Sequence, residues 1–204
     1  CAGAFEGEIL ADMQGAVFRG GGDYAGNEII IGSGAGALMV RYTAGRRTLD
    51  AQDQLTLEWC GVQRRYHAAM MRTILIGEPP PQQVAMHAAC EEALVACEET
   101  IKPGATMGSV FDAHAGVLDA AGYGEVRLNA CGYGMGAVYA PIWVDWPMLY
   151  HGNPLTFAPN QVYFLHMIIL DTGAHQAMTL GHSILVTETG AERLSRSALD
   201  LVVR

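Results

Sequence analysis

The sequence predicts a single α+β domain, and three observations carry that prediction. The chain has 204 residues, half of them apolar, enough to bury a core without metal or disulfide support. Two apolar-periodic segments read as helices around 81–100 and 109–121, with a third near the start. Between and after them lie runs of β-branched and aromatic residues bounded by glycine and proline, which read as strands of a mostly antiparallel sheet.

Taken in order, residues 3–20 form an amphipathic helix through Phe5, Ile9, Met13 and Val17, closed by Gly20-Gly21-Gly22. Glu28–Gly34 is a β run that turns at its glycines, Leu38–Tyr42 a short strand, and Arg46–Asp53 a polar loop. Leu55–Trp59 and Arg64–Ile76 pair as strands with the turn near Gly61. Pro79-Pro80-Pro81 breaks the chain before the long helix, in which Cys90, Leu94, Cys97 and Ile101 recur at helical steps. Lys102-Pro103-Gly104 stops that helix and Gly122 stops the next. Glu125–Cys131, Gln161–Asp171 and Ala177–Glu188 read as strands, separated by an irregular Gly/Pro/Trp-rich segment.

Composition excludes several functions. Twelve basic against 21 acidic residues give a net charge of −9, and no basic run exceeds two residues, so no nucleic acid is expected as a partner. No apolar stretch is long enough to span a membrane. The five cysteines form no CxxC pair. Cys90 and Cys97 sit two helical turns apart, about 10 Å, too far for a disulfide. Free thiols point to a reducing compartment, with cytoplasm expected. The opening at Cys1, directly into a helical pattern, suggests a piece of a longer protein.

Polar groups among apolar neighbours mark the candidate site, because burying them is costly without a purpose. Glu58 shares a strand face with Thr56, opposite Leu57 and Trp59. His67 and Arg72 lie on opposite parities of one apolar strand. Asn129–Gly136 has three glycines in five positions, Tyr133 among them. His166 stands mid-strand in Val162–Leu170, and His182 precedes Ile184–Val186. For His67 a satisfied core imidazole is the more common outcome. No HExxH, GxSxG, P-loop or zinc spacing is present.

The ordered series Asn27–Ile30, Leu49–Gln54, Arg72–Gly77, Ile101–Ala105, Gly132–Gly136, Asn160–Phe164 and Ile184–Glu192 resembles the C-terminal domain of the creatinase/aminopeptidase P superfamily over nearly the whole chain. The resemblance implies a pita-bread fold, a curved antiparallel sheet flanked by helices. It further implies that residues 1–204 are a C-terminal catalytic domain lacking an N-terminal domain and its own first part, and that the protein is a homodimer. Two-ion members hold their metals with two Asp, one His and two Glu. The matching positions here are Glu58, Ala69, Tyr133, His166 and Gly181, the last beside His182. With one carboxylate left, no metal and no cofactor are expected.

Metal-free members, the creatinase and ectoine hydrolase kind, imply a His/Glu hydrolase of C–N bonds in a small amino-acid-derived substrate. Glu58, His166, Tyr133, His67 and His182 are the implied catalytic set. Glu58 holds water as base or orients a neighbouring histidine, His166 passes a proton to the leaving nitrogen, and Tyr133 donates to the oxyanion. Creatinase's substrate-side histidine falls near Val40, which departs from that pattern. Arg72 and, from the irregular segment, Trp143, Asp145 and Tyr150 are the expected substrate-binding residues; the segment suits a cation or zwitterion, although a loop packed on the sheet is the more common outcome. Two alternatives stand beside this reading. One is a catalytically degenerate homologue acting as a dimeric binding or scaffold protein. The other is an Xaa-Pro-type peptidase with an altered metal site built on Glu58, His166 and His182.

Overall fold

The computed structural model describes residues 1–40 and 45–204. It confirms the α+β architecture. Helix α1 (Glu6–Arg19) precedes β1 (Ile30–Ser33), a 3-10 turn (Gly34–Leu38) and the long hairpin of β2 (Asp53–Gln63) and β3 (Tyr66–Ile76). Helices α2 (Pro81–Thr100) and α3 (Met107–Ala120) follow, then β4 (Gly132–Met135), β5 (Asp145–Met148), β6 (Val162–Asp171), β7 (Gln176–Val186), β8 (Ala191–Arg193) and β9 (Val202–Val203).

The strands form one sheet in the order β1-β2-β3-β7-β6-β4-β5, with β8 added to β7. All pairings are antiparallel except that of β9 with β3. At one end the sheet curls: Tyr66 bridges Ala137, and the His67 N–H donates to the Gly136 carbonyl at 3.2 Å, bringing the start of β3 against the chain leaving β4. This curl gives the sheet one hollow face and one outer face.

The outer face carries the helices. Met86, Cys90, Leu94 and Cys97 of α2 and Val110, Phe111 and Leu118 of α3 pack on Leu165, Met167, Ile169, Leu180 and Ile184. Helix α1 lays Ile9, Leu10 and Met13 on Leu55, Leu57 and Trp59 of β2. Its first turn is fixed by Glu6, which is fully buried. The carboxylate accepts from the Ser33 N–H at 2.7 Å, the Ser33 hydroxyl at 2.6 Å and the Arg47 N–H at 2.9 Å, so none of its charge is left unanswered.

Three expectations need correction. The β2–β3 turn falls at Arg64-Arg65, not Gly61. Both arginines take positive φ (50° and 70°), the geometry of a two-residue hairpin loop, while Gly61 stays in the strand. Residues 125–131 form no strand. They touch β6 only through an isolated bridge, Arg127 to Ile169, and single bonds such as His166 N–H to the Cys131 carbonyl at 2.9 Å. Finally, Leu38 closes a 3-10 turn rather than opening a strand, and the rest of the expected Leu38–Tyr42 strand ends outside the described residues.

Candidate active site

Strand parity and register decide which polar groups meet. Residues directly opposite in an antiparallel pair lie on the same face. Glu58 pairs with Met71 and Cys60 with Ala69 across β2 and β3. Met71 pairs with Gly181 on β7, Gly181 with His166 on β6, and Phe164 with Tyr133 on β4. Glu58, Ala69, Gly181, His166 and Tyr133 therefore share the hollow face. They are the five positions matched to the two-ion ligand set, now side by side on neighbouring strands.

The chemistry at those positions is a chain of hydrogen bonds. Tyr133 donates its hydroxyl proton to Glu58 Oε1 at 3.1 Å and accepts from the Trp143 indole N–H at 2.9 Å. Trp143 is itself anchored, since its backbone N–H donates to Asn27 Oδ1 at 3.1 Å. The Tyr133 and His166 rings lie 5.7 Å apart, centroid to centroid. Burial, then the Glu58 charge, drive the Tyr133 phenol far above its ordinary range, so it stays protonated. Cys60, also on this face, is pushed up by burial and then by Glu58, and remains a thiol.

His166 is 7% exposed and its Nδ1 is buried without a hydrogen-bond partner. Burial lowers its pKa to about 4, so the ring is neutral at pH 7. The cause is desolvation, which disfavours the charged ring. A neutral imidazole accepts a proton before it can donate one.

Below this cluster runs a band of hydroxyls that sequence reasoning missed. Thr56 and Thr73 meet at 3.2 Å, and Thr73 and Thr179 at 3.0 Å, all three buried on the hollow face. The signal was present in β2, where Thr56 alternates with Glu58, but the partners come from strands distant in sequence. His114 of α3 was also missed. It is fully buried, both ring nitrogens lack partners, and burial lowers its pKa to about 3.

The other expected site residues are placed elsewhere. His182 pairs with Met70 and Leu165, which puts it on the outer face. There its Nε2 meets Glu98 Oε1 of α2 at 2.6 Å, and Glu98 is held in turn by Arg193 at 2.6 Å. Burial opposes ionisation of Glu98, but the His182 and Arg193 contacts prevail and lower its pKa. Arg72 is also on the outer face, donating to the carbonyls of Met71 and Gly181, each at 2.7 Å. It ties strands together and does not reach the hollow.

His67 has the right face but the wrong place, four residues along β3 from Met71, about 13 Å at strand spacing. Both ring nitrogens are spent on backbone: Nδ1 with the Arg65 carbonyl at 2.7 Å and Nε2 accepting from the Gly26 N–H at 2.9 Å. It is a core histidine, its pKa lowered chiefly by burial. Asp145 is exposed at the sheet edge and Tyr150 lies in the loop beyond β5, so neither joins Glu58. Trp143 does join the cluster, as the donor that orients Tyr133.

Comparison with known proteins decides the family. The model of metallopeptidase family M24 matches residues 2–188. This chain belongs to metallopeptidase family M24. It is 31% identical over 195 residues to an ectoine hydrolase of Halomonas elongata, covering 94% of this chain and 47% of that protein. It is 22% identical over 204 residues to an Xaa-Pro dipeptidase of Pyrococcus furiosus, covering 98% and 56%. In structure it superposes on the Xaa-Pro dipeptidase from Bacillus anthracis with a TM-score of 0.92 at 22% identity, covering all of this chain and 56% of that one. Dipeptidase PepE from Mycobacterium ulcerans gives 0.91 at 24%, over all of this chain and 53% of that one. The sheet is thus the pita-bread fold. The chain spans about half the length of the curated relatives it matches.

M24 membership implies divalent metal, and the hollow does not fit it. Among the five matched positions Ala69 and Gly181 offer no donor atom. Gly181 cannot regain one in place, because a Cβ there would lie 2.7 Å from the Leu165 carbonyl and 2.9 Å from the Phe164 ring. Tyr133 remains a phenol that gives its proton to Glu58. Among the described residues no group of three or more His, Cys, Asp or Glu is arranged to hold an ion. No helix of the described residues is long and apolar enough to cross a membrane.

Proposed function

We propose that this M24 domain hydrolyses a C–N bond of a small, amino-acid-derived substrate without a metal ion. One observation carries the reading: Glu58, Tyr133 and His166 occupy three of the five positions matched to the two-ion ligand set, and there Tyr133 is hydrogen-bonded to Glu58 and Trp143 and lies beside the His166 ring. The ectoine hydrolase relative supports a C–N hydrolase of this kind.

The roles we propose differ from those expected from the sequence. His166, neutral at pH 7, takes the proton from the attacking water as its oxygen bonds to the substrate carbon. The resulting imidazolium then gives that proton to the leaving nitrogen as the C–N bond breaks. Glu58 accepts a hydrogen bond from the attacking water and so orients it. Tyr133 holds Glu58 in place and turns its hydroxyl to the oxyanion only when substrate displaces the carboxylate. A metal-free turnover assay on N-acyl amino acids, guanidino acids and cyclic amidines tests this, with His166→Ala alongside. Turnover lost in a folded His166→Ala supports the assignment, and turnover that survives removes His166 from it.

A second reading has its own support. Glu58 and His166 are only 8% and 7% exposed, which favours a catalytically silent binding protein. Absence of turnover together with tight, saturable binding of one of those compounds would select it. Residues 1–204 are read as a catalytic domain, and the protein as a homodimer, which light scattering tests. All five cysteines are unpaired, which supports a reducing compartment such as the cytoplasm.

A further inference from the structure

A groove of about 430 Å³ opens at the sheet edge between the start of β3, β5 and the chain entering β6. None of Glu58, Tyr133 and His166 lines it. Its walls carry two exposed aromatic side chains, Tyr66 and Trp146, at 67% and 66%, beside the buried Tyr163. Exposed aromatic faces on one groove ask for an explanation, because each leaves a large apolar area in water.

The charge of the groove narrows the occupant. Asp145 is the one formally charged side chain among the described lining residues, since His67 has both nitrogens engaged by backbone as a neutral ring. The Asp145 carboxylate is fixed beside Trp146: its Oδ1 accepts the Trp146 N–H at 2.8 Å. Its Oδ2 stands over Gly136, within 3.5 Å of where a Cβ would be. Gln161 adds a donor. Its Oε1 is taken by the Ala158 N–H at 2.9 Å and the Tyr163 hydroxyl at 3.1 Å, which leaves its amide hydrogens available.

We propose that this groove is a binding site for a small organic cation of the alkylated ammonium or amidinium type. The cation lies against Tyr66 and Trp146 and is neutralised by Asp145. Ring faces attract a weakly hydrated cation, and a single oriented carboxylate answers its charge. An anion would find no cationic partner there. A purely apolar ligand would strip water from Asp145 without replacing it. The net charge of −9 favours the approach of cations. The amide of Gln161 suits a carboxylate on the same ligand.

The test is an ¹⁵N-correlated NMR titration of the full chain with tetramethylammonium chloride, against sodium chloride at equal ionic strength. The indole N–H of Trp146 is assigned with Trp146→Phe and is expected to shift saturably while those of Trp59 and Trp143 stay put. Trp146→Ala should abolish the saturable shifts of the lining Tyr66 and Gly136 backbone amides, and Asp145→Asn should weaken binding about fivefold or more. Tyr66→Ala, at an exposed hairpin position, serves if Trp146→Ala does not fold. A linear unsaturated shift, an equal response to sodium, or binding indifferent to Asp145→Asn would overturn the proposal. So would line broadening that depends on protein concentration alone, since the rings would then face a second copy.

Discussion

Replacing His166 with leucine tests the protonation state on which the proposed chemistry depends. An imidazole titrates near 6.5 in an unfolded chain, whereas burial lowers His166 to about 4 in the folded protein. Between those values the unfolded state binds the proton and the folded state does not. Stability from this group is therefore complete above pH 6.5 and is lost as pH falls from 6.5 toward 4. At pH 7.5 the effect is near zero. At pH 5 it amounts to about 2 kcal/mol, from 1.36 kcal/mol per unit over about 1.5 units.

Any folded value of about 4 or below gives nearly the same figure at pH 5. Urea unfolding at 25 °C, at pH 7.5 and 5.0, reads it directly. Wild type should lose about 2 kcal/mol more than His166→Leu over that interval. Contributions from other groups, His114 included, largely cancel in the difference between the two proteins. Parallel losses in the two proteins, or an NMR titration of His166 near 6.5, would refute the reasoning. The imidazole would then be an ordinary one and a poor choice as the neutral base.

Three further outcomes follow from the same geometry. Tyr133→Phe removes the proton donated to Glu58 and should cost about 2 kcal/mol in urea unfolding, with turnover falling at least tenfold; an unchanged midpoint would mean that the bond contributes nothing. Gly181→Ala drives a Cβ against the Leu165 carbonyl and should destabilise by about 3 kcal/mol, while Gly61→Ala, with open space around its Cβ, should cost less than about 1 kcal/mol. Dialysis against EDTA should leave the thermal midpoint unchanged within about 1 °C, because the proposed metal-free site links no ion to folding; stoichiometric metal in the untreated protein, with a falling midpoint on its removal, would revive the altered-metal peptidase.

Much of the fold was legible because periodicity is local. Proline at 79–81 and glycine at 104 and 122 bracket the two helices, whose apolar steps alone locate them. The helical opening was also legible, although it starts at Glu6 rather than residue 3. The β2–β3 turn was misplaced because Gly61 gave the stronger turn signal. Two arginines with positive φ carry no such signal, and the strand pairing imposes their conformation. Residues 125–131 have strand composition but meet β6 by isolated bonds, which only the packing of α3 and β6 determines.

For the site, the sequence by itself determined the faces within each strand. Glu58 must oppose Leu57 and Trp59, and His67 must oppose Arg72, because side chains alternate at every residue. It could not determine which strands become neighbours or in what register. Register puts His166 opposite Gly181 and so sends His182 to the helices, where Glu98 receives it. Curvature then brings β4 close enough for Tyr133 to reach Glu58, 75 residues away in the chain. A one-residue slip in pairing would reverse every such assignment, so the meeting of these groups belongs to the tertiary structure alone.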